Sequence, residues 1–430
     1  MRARPSSRAA FALVLAVGCT RPGLVEGPLS NPTVMTSMGA GDSAVPVING
    51  GYGSALAVDP HDRAAVYLLT DRGPNVAAAE SGQKVFPVPA FAPRIGRFRI
   101  RDGVLVLEDT IVLRAHDGVR LSGLAQPPGP GSTNEVAVGP DGALLGRGGF
   151  DPNGFDPEGL VRLPDGSFWV SDEYGPYLLQ VDPSGRERAR VSPFGGARPL
   201  PAVLGRRRPN CGMEGLTILP NGGTLAGIMQ CALDNPPPGG RHNRLTRLLL
   251  YDTRTGLSRQ YLHLLDHDTY LNSEIAALDS HRFLVIERDL RWPGQPGAFK
   301  RIHLIDIGGA TDVTGEPAAP GGRLTGGKTL EELTAGAVDP AAVLARHGVR
   351  VASKHLVADL VTDLRGWSHD KPEGLAVLDD STVLVSNDDD FGVTSSDPAG
   401  RVRRKTNPVT GRPDFAEVRA VRLRPRPPSR

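Results

Sequence analysis

Four glutamates, Glu158, Glu214, Glu274 and Glu373, stand at the head of similar stretches of chain. Three are followed by Gly-Leu and the fourth by Ile-Ala. Each stretch continues as a short apolar run, a turn and a second apolar run. The second run ends in acidic or amide side chains: Asp172-Glu173, Gln230, Glu287 and Asn387-Asp388. Carboxylates and amides are hard oxygen donors, of which Ca2+ takes roughly six to eight at flexible geometry. The His/Cys clusters that mark zinc or copper sites are absent. Arg72, Arg288, Lys354 and Lys371 lie beside the acidic positions. A site mixing cationic side chains with metal-binding oxygens suits an anionic ester, because a metal polarises the ester oxygen and activates water.

The elements that position these residues are β-hairpins. Apolar runs bounded by Pro164-Asp-Gly and Pro220-Asn-Gly have hairpin turn chemistry. Third strands follow, as in Tyr177–Asp182, Arg247–Asp252 and Arg301–Asp306. A degenerate copy begins at Ser54 and ends at Asp71-Arg72-Gly73. In an antiparallel hairpin the start of the first strand lies beside the end of the second. Glu158 should therefore neighbour Asp172 and Glu173, Glu214 should neighbour Gln230, Glu274 should neighbour Glu287, and Glu373 should neighbour Asn387 and Asp388. If each first strand is innermost in its sheet, these groups meet at one mouth of a central channel.

The pattern predicts an all-β fold, a β-propeller of about six blades, with five as the alternative. The Gly/Pro-rich 120–150 region is a candidate for another blade, and 416–423 for a late strand closing the ring. A short helical excursion is expected near 325–348, with helices capped by Thr329 and Asp339. The hairpin geometry also brings Cys211 close to Cys231, as a disulfide. Trp169 and Tyr174 read as packing residues, and His303 and His369 as satisfied surface histidines.

The 53 Gly and 39 Pro among 430 residues favour short strands and many turns over long helices. The 49 Lys+Arg against 47 Asp+Glu give no electrostatic footprint for nucleic acid. At the N-terminus, Arg2, Arg4 and Arg8 precede an apolar run over 9–17 and then Gly18-Cys19. That run is too short to span a bilayer and reads as an export signal over 1–19. Cys19 resembles a lipoprotein cleavage site, whose lipidation would attach the chain to a membrane. An ordinary signal cut a few residues later is the equal alternative. The expected organisation is a signal (1–19), a linker (20–43), the propeller domain (44–423) and a disordered tail (424–430). The expected location is secreted, or in the cell envelope as a periplasmic or anchored monomer.

The stretch from Asp156-Pro-Glu-Gly-Leu to Asp172-Glu-Tyr-Gly-Pro176 closely resembles the signature of the phytase-like esterase family. So do Gly212-Met-Glu-Gly-Leu216, Phe283–Asp289, Lys354–Leu360 and Val385–Gly392. The resemblance runs in order from about residue 50 to 393. It implies a propeller-like fold, bacterial export and an esterase or phosphodiesterase role for the repeated Glu and Asp. Two positions depart from the family's pattern: Asp388-Asp-Asp390, where the family tends to Asp-Asn-Asp, and Ser54, where the first repeat lacks its acidic residue.

The expected activity is hydrolysis of a small anionic ester, a phosphate mono- or diester, assisted by Ca2+. Glu158, Glu173 and Glu287 are the candidate catalytic groups. Glu158, Asp172, Glu214, Glu274, Glu373 and Asp388 are the candidate metal ligands. Arg72, Arg288 and Lys371 would hold the anion. The rivals are a non-catalytic surface propeller that uses Ca2+ structurally, and a lactonase-like hydrolase. Arg346-His-Gly-Val-Arg350 imitates a histidine-phosphatase motif, but it follows a predicted helix and Gly348 serves as that helix's C-cap. No Gly-x-Ser-x-Gly elbow, His-Glu-x-x-His or P-loop occurs.

Overall fold

In the computed structural model, residues 26–39, 44–237, 242–394 and 401–425 are described. The signal segment and Cys19 lie outside them. Every expected hairpin forms and grows into a four-stranded antiparallel sheet. Blade 1 comprises Tyr52–Val58, Ala65–Thr70, Arg94–Arg101 and Val104–Val112. Blade 2 comprises Pro157–Arg162, Phe168–Asp172, Leu178–Val181 and Glu187–Val191. Blade 3 comprises Met213–Ile218, Thr224–Met229, Leu245–Asp252 and Ser258–Leu264. Blade 4 comprises Leu271–Ala277, Arg282–Arg288, Lys300–Asp306 and Ser353–Asp359. Blade 5 takes Pro372–Asp379, Thr382–Asn387 and Glu417–Arg422 from the C-terminal end and Gly27–Pro28 from the N-terminal end.

Sheets with two apolar faces must bury both, and here each face meets the next blade. Leu160 and Val170 of blade 2 pack with Ala57 and Leu69 of blade 1, and Leu225 of blade 3 with Val161 and Trp169 of blade 2. Ile275 and Val285 of blade 4 pack with Ile228 and Leu248 of blade 3, and Leu375 and Val385 of blade 5 with Ile286 and Leu304 of blade 4. Leu56, Val66 and Phe98 of blade 1 close the circle against Ala376, Leu384 and Val418 of blade 5. Five cores between five sheets make a closed ring, which removes sheet edges from its inner circumference.

The count is therefore five blades among the described residues, not six. The 120–150 region supplies only Val136–Val138, paired in parallel with Gln83–Val85 in a small three-stranded sheet. Its glycines at positions 129, 131, 142, 146, 148 and 149 all adopt positive φ, which interrupts any longer strand. Part of the expected linker is also structured: Gly27 pairs with Val418, and Val34–Met38 pairs with Val45–Ile48. The helical excursion forms as Leu330–Thr334 and Pro340–Ala345, capped by the Thr329 and Asp339 side chains. Trp169 is a core residue.

Neither histidine lies at the surface. His303 is buried, and His369 is fully buried between Asp414 (2.6 Å) and Glu417 (2.9 Å). Burial alone would lower the His369 pKa, but the bonds to Asp414 and Glu417 outweigh it and carry the imidazole up to about 9. The clamp ties the last strand of the chain to the entry of the blade 5 inner strand, so it secures ring closure. Because the folded value lies above the ordinary 6.5, this stability is fully present below about pH 6.5 and is lost as pH rises through about 9. His369→Gln should destabilise the fold by roughly 3 kcal/mol at pH 6. Urea titrations should show the gap to wild type shrinking between pH 7 and 10; a pH-independent gap would contradict a charged clamp.

Candidate active site at the channel mouth

Each innermost strand carries a β-bulge near its start, and the repeat acidic position sits in it. The register slips between Pro157 and Gly159, Met213 and Gly215, Asn272 and Ile275, and Pro372 and Gly374. Blade 1 slips likewise between Tyr52 and Ala55, around Ser54. A bulge inserts an unpaired residue and re-aims its side chain. The Gly after the glutamate is then fixed by packing. A Cβ on Gly159 would stand 2.6 Å from the Leu216 nitrogen, and one on Gly374 would stand 2.8 Å from the Leu56 Cβ, each on the next blade. Serines of the second strands latch onto the next blade's inner strand: Ser171 Oγ donates to the Glu214 carbonyl and Ser386 Oγ to the Gly53 carbonyl, both at 3.0 Å.

Inside this ring is a cavity of about 1120 Å³, lined by eight carboxylates and five cationic side chains. Of the candidate residues, Glu158, Glu173, Glu214, Glu373, Arg72, Arg288 and Lys371 line it. Asp156 joins them, and its carboxylate oxygens come within 4.8 Å of those of Glu158 and Glu173. Asp156 Oδ2 and Glu173 Oε1 are buried with no hydrogen-bond partner. Burial first, then the charges of Glu214 and Asp156, push the Glu158 and Glu173 pKa values well above the ordinary range. Burial, then Glu373, carries Glu214 up to about 8 despite a 2.7 Å hydrogen bond from Gln230. Three hard oxygen donors converging, two of them without a hydrogen bond and Asp156 Oδ2 offset only by Arg72 Nε at 3.5 Å, fit a divalent cation such as Ca2+. Without one, protons must relieve the repulsion.

Other candidates serve elsewhere. Asp172 lies behind the wall, accepting from the Asp156 nitrogen (2.8 Å) and the Gly175 nitrogen (2.6 Å), so it orients the ligand loop. Glu274 turns back to accept from the Leu216 nitrogen (2.8 Å) and the Ile275 nitrogen (2.9 Å). Asp388 does not line the cavity; it pairs with Lys371 and accepts from the Asp390 nitrogen. Glu287 belongs to a separate cluster, bonded to Lys354 and the Asp266 nitrogen, with His263 and His303 at 3.8 Å. Burial opposes its ionisation, but His263 and Lys354 bring its pKa down to about 2.

The cations are held by carboxylates. Arg72 donates to Glu135 (2.9 Å) and Tyr174 (3.3 Å), and its main chain donates to Asp156 (3.1 Å). Arg288 donates to Glu373 (2.7 Å) and Ser273 (2.8 Å). Lys371 is held by Asp388 and by Asp390 at 2.8 Å. Asp390 and Phe391 both have left-handed backbones (φ 49° and 56°), which cost about 1–2 kcal/mol each. That bend puts Asp390 on the cavity wall. Sequence reasoning did not select Asp156, Asp390 or Asp71 as site residues. Their signal was adjacency: Asp156 precedes Glu158 by two, and Asp390 ends the Asp388-Asp-Asp run. The Cys211–Cys231 disulfide forms, and Cys211 borders the cavity.

The family described as phytase-like, esterase-like activity of phytase, matches residues 48–391. An uncharacterized secreted protein of Arthroderma benhamiae is 29% identical over 311 residues, 56% of this chain. The match spans 59% of that relative's length. Among solved structures, a Lactobacillus plantarum protein aligns over 93% of this chain and 98% of its own, at 13% identity and TM-score 0.35. A putative 6-phosphogluconolactonase from Bacteroides uniformis aligns over 87% of each chain, at 13% identity and TM-score 0.33.

Saturating Ca2+ should raise the melting temperature of the wild-type protein, since a ligand that binds only the folded state stabilises it. In chelator, Glu158→Gln should melt roughly 2–4 °C higher than wild type, because one repelling carboxylate is gone. The variant should lose most of the Ca2+ response. Equal Ca2+ shifts in both proteins would show that the cluster is not the cation site.

Proposed function

This chain belongs to the phytase-like family (esterase-like activity of phytase), and from that premise we propose that it is an exported, cation-assisted hydrolase of phosphate esters. The observation carrying the proposal is the buried Asp156–Glu158–Glu173 cluster in a cavity that Arg72, Arg288 and Lys371 also line. Asp156, Glu158 and Glu173 would hold Ca2+. When bound, such a cation supplies Lewis-acid polarisation of the ester oxygen and a lower pKa for attacking water. Arg288 and Lys371, with Arg72 beside Asp156, orient the anionic group. A carboxylate of the cluster takes one proton of the attacking water as its oxygen bonds to phosphorus. The bond from phosphorus to the leaving oxygen breaks, and Glu214, which keeps its proton near neutrality, donates it to that oxygen. Glu287 has no part in this scheme, because its carboxylate is committed to Lys354 and the Asp266 amide.

Export is supported by the basic-then-apolar N-terminal segment, the disulfide and the secreted relative. A second reading, a binding propeller whose cation is purely structural, draws on the enclosure of Asp156 Oδ2 and Glu173 Oε1.

Chelator and Glu158→Gln should each lower kcat/KM on phosphate esters about 100-fold or more, the scale of losing a general base. A folded, cation-binding protein inert on phosphate esters would favour the second reading. The rate should decline as pH rises through about 8, where Glu214 loses its proton. Glu214→Gln should be slow throughout and lack that decline; an unaltered alkaline limb would remove Glu214 as the acid.

A further inference from the structure

Blade 1 meets the cavity differently from its neighbours. Its repeat position holds Ser54, where blades 2, 3 and 5 hold glutamates that line the wall. Between its second and third strands, residues 71–93 leave the blade and form most of the small three-stranded sheet. Val76–Ala77 pairs there with Gln83–Val85, and Val136–Val138 completes it from the 120–150 region. Phe86, Leu124 and Ala137 pack as a core of its own, and Val85 joins Val76, Phe91 and Phe391 in another. The stretch whose composition suggested another blade thus builds a platform at the mouth. Two charged residues sit together on it: Lys84 pairs in register with Ala137, and Glu135 directly precedes Val136. Lys84 lines the cavity.

The other wall cations are engaged at short range. Arg72, Arg288 and Lys371 each hold a carboxylate at hydrogen-bonding distance, on Glu135 (2.9 Å), Glu373 (2.7 Å) and Asp390 (2.8 Å). Arg208 lies against the sulfurs of Cys231 (3.2 Å) and Cys211 (3.5 Å). The Lys84 ammonium has only Glu135 Oε1 at 3.7 Å, and among the described residues it makes no hydrogen bond. The other Glu135 oxygen accepts from Arg72 and Thr133. One carboxylate is therefore shared by two cations. Asp156 also faces Arg72, but a cation held by Asp156, Glu158 and Glu173 engages that charge. One positive charge is then left over on this side of the cavity. Burial, then the charge of Arg72, lower the Lys84 pKa, a cost that an arriving anion relieves.

Resting on the phosphate-ester reading of this site, we infer that Lys84 is a further substrate-contact residue, whose ammonium donates to a non-bridging oxygen of the bound phosphoryl group, and that the three-stranded sheet serves to hold it there. Arg72, Arg288 and Lys371 orient the same group while tethered to their carboxylates. Lys84 adds donors that no protein group claims. Its contribution is charge and hydrogen bonding, in binding and as charge builds on the phosphoryl oxygens. A contact carried on paired strands over packed cores reaches its ligand without ordering a loop, so less entropy is lost on binding.

The test is calorimetric titration of methylphosphonate, an analogue whose P–C bond is not hydrolysed, into the whole protein with Ca2+ present. Lys84→Met should weaken binding about tenfold or more, the scale of a hydrogen bond to a charged group. Lys84→Arg should recover most of that loss. Lys328→Met, which removes the same charge from an exposed position in the helical excursion, should bind as wild type does. Lys84→Met should also keep the Ca2+-induced rise in melting temperature, a response that damage to the fold of the site would abolish. Unchanged affinity in Lys84→Met, or an equal loss in Lys328→Met, overturns the inference and leaves the phosphate-ester reading standing. So does a loss that Lys84→Arg leaves in full, or one that takes the Ca2+ response with it. Wild-type protein that takes up no methylphosphonate overturns that reading and the inference together. Turnover is scored separately: a Lys84-dependent phosphonate site that hydrolyses no ester keeps the contact and loses the hydrolase.

Discussion

Carboxylates brought out of water around one pore are the constraint on which the rest of this structure depends. Bulges in the inner strands direct Glu158, Glu214 and Glu373 into the cavity, where the strand ends add Glu173 and the flanking loops Asp156. Charged groups in such a place repel one another and lose their hydration, so each needs a compensating partner. The structure supplies these unevenly. Glu373 has Arg288, Glu214 has Gln230, and Glu274 has two backbone amides. The Asp156–Glu158–Glu173 group keeps two oxygens without a hydrogen bond, Asp156 Oδ2 facing Arg72 Nε only at 3.5 Å, and that shortfall is what a cation would meet.

The surrounding charge network supports this arrangement from behind. Lys405 reaches Asp370, Asp390 and Asp414, and Asp414 in turn holds His369. A chain of alternating charges thus runs from the cavity wall to the strand that closes the ring. Buried networks of this kind contribute less net stability than specificity of arrangement, since each ion gives up its hydration on entering. Here they fix Lys371 and Asp390 in place at the mouth while the five inter-blade cores supply the apolar burial.

Much of this was legible in the residues. The recurrence of a glutamate with an acidic or amide strand end located four of the five inner strands, the degenerate copy at Ser54 located the fifth, and antiparallel pairing placed Glu158 with Glu173 and Glu214 with Gln230. What pairing alone does not contain is the bulge. With one residue unpaired, a repeat position can turn either way, and Glu274 turns to the backbone where its counterparts turn to the cavity. Glu287 was misplaced for the same reason, since its strand-end position puts it against Lys354 on the outer strand of blade 4. The blade count was overestimated because a Gly/Pro-rich stretch with positive-φ glycines resembles turns between strands when only its composition is read. His369 looked exposed because neither acidic partner, Asp414 or Glu417, is near it in sequence.

The most direct measurement is anomalous diffraction from crystals grown with Mn2+ in place of Ca2+. A single strong peak is expected, enclosed by the carboxylates of Asp156, Glu158 and Glu173 at the channel mouth. A map with no peak there, or with the ion bound only at surface carboxylates, would contradict it.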